Sequence, residues 1–90
     1  MENLTLIIPA KYESESLPSV LEELKRFNYR ICVVLKDNDL ETINSIKDYD
    51  IKIIYQKGQG YGNALIEGIN FCETKYYCIF NADGSFNPNE

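Results

Sequence analysis

The ninety-residue sequence contains no histidine. A Ser-His-Asp or Cys-His nucleophilic site cannot be assembled from its own side chains, and a zinc site would need cysteine and carboxylate alone. Its three cysteines, Cys32, Cys72 and Cys78, are odd in number and show no CxxC spacing. That excludes the usual disulfide-framework and metal-knuckle patterns. Each lies in an apolar stretch, where a free thiol serves as a small hydrophobe, so the expected location is reducing and cytoplasmic. Basic residues are also scarce: nine Lys and Arg stand against fourteen Asp and Glu, for a net charge of -5. A broad electrostatic grip on nucleic acid or an anionic membrane is therefore not expected, although single phosphate contacts are. No apolar run approaches the roughly 20 residues that span a bilayer, and the amino terminus lacks a charged region followed by a long apolar one. Internal repeats, linkers and low-complexity tracts are missing as well.

What is present is the composition of a folded domain, 44% hydrophobic and 26% charged, and the length allows one domain or part of one. Leu4-Thr5-Leu6-Ile7-Ile8, stopped by Pro9, reads as a buried strand. After a polar loop over residues 10–16, Leu17, Val20, Leu21 and Leu24 recur at helical spacing, with Ser16 as N-cap and Pro18 in the first turn. Glu22, Glu23, Lys25 and Arg26 fall on the outer, solvated face of that helix. Residues 29–35 form a second apolar run, and Asn38-Asp39-Leu40-Glu41 resembles a capping box that opens a helix through Ile43 and Ile46. A third strand, Ile51-Lys52-Ile53-Ile54-Tyr55, leads through the loop 56–60 into a helix carrying Tyr61, Leu65, Gly68, Ile69 and Cys72 on one face. Gly68 would let that helix pack closely on the sheet. Tyr76-Tyr77-Cys78-Ile79-Phe80 is apolar throughout, as expected of a central strand covered on both faces, with both tyrosines in the core.

The order βαβαβαβ with short connections predicts an α/β fold, a mainly parallel, Rossmann-like sheet with flanking helices and right-handed crossovers. Ligands then bind beyond the carboxyl ends of the strands, where residues 10–16, 36–39, 56–60 and 81–86 gather. Asn81, Asp83 and Ser85 occupy alternate positions where the last strand runs out, and oxygen ligands so placed suit Mg²⁺ or Mn²⁺ on a diphosphate. The same residues also suit an ordinary turn. Gly58-Gln59-Gly60-Tyr61-Gly62 precedes a helix, where free N–H groups favour a phosphate and Lys57 adds charge; a simple tight turn is the alternative. Pro9-Ala10-Lys11-Tyr12-Glu13 offers an aromatic face for a base and a carboxylate for base or ribose, or else a solvated loop.

Taken in order, Leu6-Ile7-Ile8-Pro9-Ala10-Lys11-Tyr12-Glu13, Gly58-Gln59-Gly60-Tyr61-Gly62-Asn63-Ala64-Leu65 and Phe80-Asn81-Ala82-Asp83-Gly84-Ser85 resemble family 2 glycosyltransferases, especially the dolichyl-phosphate-mannose-synthase-like branch. The resemblance spans nearly the whole chain. It implies the amino-terminal, nucleotide-sugar-binding part of a GT-A domain over residues 1–90, with a UDP- or GDP-linked sugar held through Mg²⁺ or Mn²⁺ and transferred with inversion to an acceptor such as a lipid phosphate or a glycan. It implies nucleotide-sugar contacts from Pro9, Ala10, Tyr12, Glu13, Asp37, Lys57, Gly60, Asn81 and Asp83, and metal ligation by Asp83 and Ser85.

Two departures from the family pattern bear on chemistry. The first Asp of the family's D-x-D motif is Asn81, a neutral group that should weaken the hold on a hard cation. The acidic pair expected after strand two falls at Leu35 and Lys36, followed by Asp37. The family's acceptor half and its catalytic base lie downstream of D-x-D, so no catalytic residue is assigned here and the ninety residues alone are expected not to turn over. In the family's strand order, 3-2-1-4, residues 76–81 would form an apolar edge suited to self-association. In a longer protein the domain would stand at the cytoplasmic face of a membrane.

Two other readings share these residues. A dinucleotide-binding oxidoreductase fragment would use Gly58-x-Gly60 with Asp83 about 20 residues later, but the third fingerprint glycine falls at Asn63 and the motif follows the third strand, not the first. A non-catalytic interaction module would keep the fold while Asn81 and Leu35-Lys36 abolish the site.

Overall fold

The structure is a computed structural model and describes residues 4–12, 14–27, 29–72 and 74–80. Its elements alternate as expected: β1 (Leu4–Pro9), α1 (Leu17–Leu24), β2 (Arg30–Leu35), α2 (Leu40–Ile46), β3 (Lys52–Tyr55), α3 (Tyr61–Asn70) and β4 (Tyr76–Ile79). A single 3-10 turn, Lys25–Phe27, extends α1.

The strands form one sheet in the order β3-β2-β1-β4, and every pairing is parallel. From β1 the chain steps outward through β2 to β3, then returns to the other side of β1 as β4. Because parallel crossovers are right-handed, this reversal sends the last helix to the opposite face of the sheet from the first two. Packing follows that rule. Leu17, Val20, Leu21 and Leu24 of α1 and Ile46 of α2 bury against Leu6, Ile8, Ile31, Val33 and Leu35. On the other face Ala64 of α3 packs with Ile7, Cys32, Val34 and Ile54. The result is a Rossmann-like α/β arrangement consistent with the GT-A fold.

β1 and β2 are covered on both faces, which explains their nearly unbroken apolar runs. Burying each of their Leu, Ile and Val side chains contributes about 1.5–3 kcal/mol. Gly68 lets α3 sit close to this sheet: a methyl group there would lie 2.6 Å from Ile7 Cγ2 and 3.0 Å from Val34 Cγ2. The expected close approach is therefore present.

β4 takes the edge place that the 3-2-1-4 order implies and departs from the reading of a central strand covered on both faces. Among the described residues it pairs only with β1, so it is an edge strand, and Tyr76 and Tyr77 are 57% and 49% exposed instead of buried. An unbroken apolar run marks a strand but not its place in the sheet. Cys78 and Phe80 do pack against the α1 side of the core. The three cysteines are thiols, not disulfide partners; burial pushes the Cys32 thiol up to about 11, as befits an inert core residue. On the outer face of α1, Glu22 and Lys25 form an exposed pair at 2.7 Å, and the Tyr49 hydroxyl donates to Glu22 at 3.2 Å.

Candidate functional site

The winding reverses between β1 and β4, and the carboxyl ends of those strands are the position where ligands bind in such sheets. Hydrogen bonds in strand register continue past the strand ends and tie the edge together. The Ala10 N–H donates to the Val34 carbonyl at 2.9 Å, the Gln56 N–H to the Leu35 carbonyl at 2.7 Å, and the Phe80 N–H to the Ile7 carbonyl at 3.0 Å. Residues 10, 56 and 80 are thereby fixed at the mouths of their loops.

After Ala10 the chain turns sharply at Tyr12, which has a φ of 55° and is the one non-glycine residue described with a left-handed backbone. That conformation costs a residue with a Cβ roughly 1–2 kcal/mol, so something must hold it. Asp39 does: its Oδ2 accepts the Tyr12 N–H at 2.8 Å across 27 residues of sequence. Asp39 is only 5% exposed, whereas the Tyr12 ring is 74% exposed with Lys11 Nζ 6.0 Å from its centroid. A buried carboxylate thus anchors an aromatic ring presented at the ligand edge.

The same bond corrects the capping-box reading of residues 38–41. Asp39 stands at the N-cap of α2, but its side chain makes no capping bond. The carboxylate turns to the neighbouring loop instead, while its own carbonyl accepts the Ile43 N–H at 3.1 Å.

The glycine loop before α3 is held from three directions. Glu67, one turn and a half into α3, accepts the Lys57 N–H at 3.1 and 3.0 Å and the Gly58 N–H at 3.1 Å. These amides hold the Glu67 carboxyl below its ordinary range, the Gly58 N–H most and the Lys57 N–H next. Lys36 Nζ donates to the Gly58 carbonyl. Gln56 Nε2 donates to the Gly60 carbonyl at 2.9 Å and to Asn63 Oδ1 at 3.0 Å. Gly60, at φ 88°, is the N-cap of α3 and adopts a backbone that a side chain would strain. Two loop amides thus already have an anion, supplied by Glu67 of the same chain.

The expected site residues distribute as follows. Pro9 and Ala10 are partly buried at the end of β1, and Tyr12 is exposed beyond them. Asp37, Lys57 and Gly60 are exposed along the same edge, in the loops that follow β2 and β3. Glu13, Asn81, Asp83 and Ser85 lie outside the described residues. Leu35, at the first position of the expected acidic pair, is fully buried in the core, and half-buried Lys36 is engaged with Gly58. Asp39 and Glu67 were not expected as site residues. Asp39 has the local signature of a helix cap, and nothing local announces its partner 27 residues earlier. Among the described residues no group of three or more His, Cys, Asp or Glu is placed to hold a metal ion, and no helix is long and apolar enough to cross a membrane.

The sequence model of glycosyl transferase family 2 matches residues 5–90 of the chain. The chain belongs to glycosyltransferase family 2. Its similarity extends to uncharacterized glycosyltransferases of Mycobacterium bovis and Mycobacterium tuberculosis, each 28% identical over 87 residues, which cover 97% of this chain and 39% of the relative. The family 2 chain described here thus spans about two-fifths of the length of these curated relatives. No solved structure matches.

Proposed function

We propose that this family 2 chain binds a nucleotide diphospho-sugar, UDP- or GDP-linked, at the carboxyl edge between β1 and β4. It serves as the donor-binding part of an inverting glycosyltransferase of the dolichyl-phosphate-mannose-synthase-like branch. The acceptor class in this reading is a lipid phosphate or a glycan, and none of these ninety residues is assigned as catalytic base. The observation that carries the reading is the Tyr12 ring, held exposed at the ligand edge by a backbone conformation that Asp39 maintains. An aromatic face so placed suits a nucleobase.

In this reading Pro9, Ala10, Tyr12, Glu13 and Asp37 contact the nucleoside, and Lys57 and Gly60 approach the diphosphate with Asn81 and Asp83. Asp83 and Ser85, with the amide oxygen of Asn81, supply hard oxygen donors of the type that Mg²⁺ or Mn²⁺ takes. Such an ion, when bound, would neutralise diphosphate charge as the sugar departs. With one carboxylate in place of two, the set fits a cation of modest affinity.

The family membership also weighs against the dinucleotide alternative, whose fingerprint would have to follow β1. Calorimetric titration with UDP- and GDP-sugars, with and without Mn²⁺, tests the proposal. Saturable binding of one nucleotide class, strengthened by Mn²⁺, supports it. If neither class binds at millimolar concentration, even to a longer form with the acceptor region, the reading fails.

A further inference from the structure

We infer that Asp39 is a positioning residue for the nucleotide site, acting through the backbone of Tyr12 and not by touching the ligand. The inference rests on the nucleotide-binding reading for its purpose, but the geometry that carries it stands independently.

Three observations converge. The Asp39 carboxylate is buried, and a buried charge requires hydrogen-bonded partners. One of its oxygens takes the Tyr12 N–H at 2.8 Å, a charge-assisted bond between two loops that follow adjacent strands. Tyr12 stands in the left-handed region, which a tyrosine leaves readily unless its surroundings prevent it. Were Asp39 only a helix cap, its oxygen would lie on the first amides of α2, and it does not.

The bond therefore sets where the Tyr12 ring points. With it, the backbone projects the ring from the edge as a platform for a planar base. Without it, residues 11–12 relax to an ordinary backbone and the ring is carried away from that edge. The cost would fall on affinity, because an ordered platform must then be formed at the moment of binding.

Three substitutions separate positioning from capping. Asp39→Ala removes the acceptor altogether. Asp39→Ser offers α2 a capping side chain that Asp39 does not supply, but its hydroxyl is too short to reach the Tyr12 amide. Asp39→Asn keeps an acceptor oxygen at the right length. Two readouts are needed: hydrogen exchange of the Tyr12 amide in the free chain, followed by NMR, and UDP and GDP affinity by calorimetry.

In Asp39→Ala and Asp39→Ser the Tyr12 amide should exchange at least about tenfold faster while β1 and β2 amides stay protected, and nucleotide affinity should fall about tenfold, the loss of one buried charged hydrogen bond. Asp39→Asn should restore most of both. Unchanged Tyr12 exchange in folded Asp39→Ser, or wild-type nucleotide affinity in Asp39→Ser, overturns the inference. If neither nucleotide binds, even to a longer form with the acceptor region, the functional reading fails, and the exchange measurement still decides whether Asp39 positions Tyr12. Should Asp39→Ala not fold, the Ser and Asn variants carry the comparison.

Discussion

The carboxylate of Glu67 lies on the backbone of Gly58, accepting its N–H at 3.1 Å while also holding the amide of Lys57. A helix residue thereby fixes the loop that leads into its own helix. Because these amides keep the Glu67 carboxyl below its ordinary value of 4.5, the folded chain favours the ionised form. The unfolded chain takes up the proton first as pH falls. The contribution of Glu67 is therefore complete above about 4.5 and is lost as the pH drops through the lowered value. Urea midpoints should show Glu67→Gln less stable than the unaltered chain at pH 7, with the two converging as the solution is made acid. Parallel pH profiles would contradict this.

Gly68 and Gly62 occupy the same helix and should respond oppositely to alanine. At Gly68 the new methyl collides with Ile7 and Val34 of the buried strands. Overpacking of this kind costs about 1–3 kcal/mol, which exceeds the gain of up to about 1 kcal/mol from replacing a helical glycine. At Gly62 the methyl meets open space, leaving only the gain, about 0.5 kcal/mol. Thermal denaturation should show Gly68→Ala destabilised and Gly62→Ala slightly stabilised; equal shifts would refute the close packing of α3 on β1 and β2.

The exposed tyrosines of β4 predict association between chains. Among the described residues the outer side of β4 carries no strand, and Tyr76 and Tyr77 are exposed on it. Sedimentation should show self-association that rises with concentration and weakens in Tyr77→Lys. A strictly monomeric profile at high concentration would count against it.

How much of this could be read from sequence differs from element to element. Leu17, Val20, Leu21 and Leu24 fixed one face of α1 through local periodicity, and the short βαβ connections implied the parallel sheet. Tyr76 and Tyr77 misled because an apolar run reports β-structure, whereas exposure depends on which strand lies beside it. Asp39 and Glu67 were invisible as site elements because their partners are backbone amides of other loops, and any residue type supplies a backbone amide. Lys36 looked like a charge reversal at a ligand position, yet its amine is engaged by the Gly58 carbonyl.

Asn81 sets an expectation for metal binding. A second carboxylate beside Asp83 would raise the charge on the proposed oxygen set, so Asn81→Asp should strengthen Mn²⁺ binding by about tenfold or more in calorimetry. Unchanged affinity would favour a module whose metal site is spent.

The central claim is that the carboxyl edge between β1 and β4 receives a nucleotide. The most direct measurement is NMR mapping of UDP and GDP added to the isotope-labelled chain. The account predicts saturable shifts at Ala10, Tyr12 and residues 36–39, with none at Lys25 or Tyr49. Shifts centred on those two residues, or scattered without saturation over the whole surface, would contradict it.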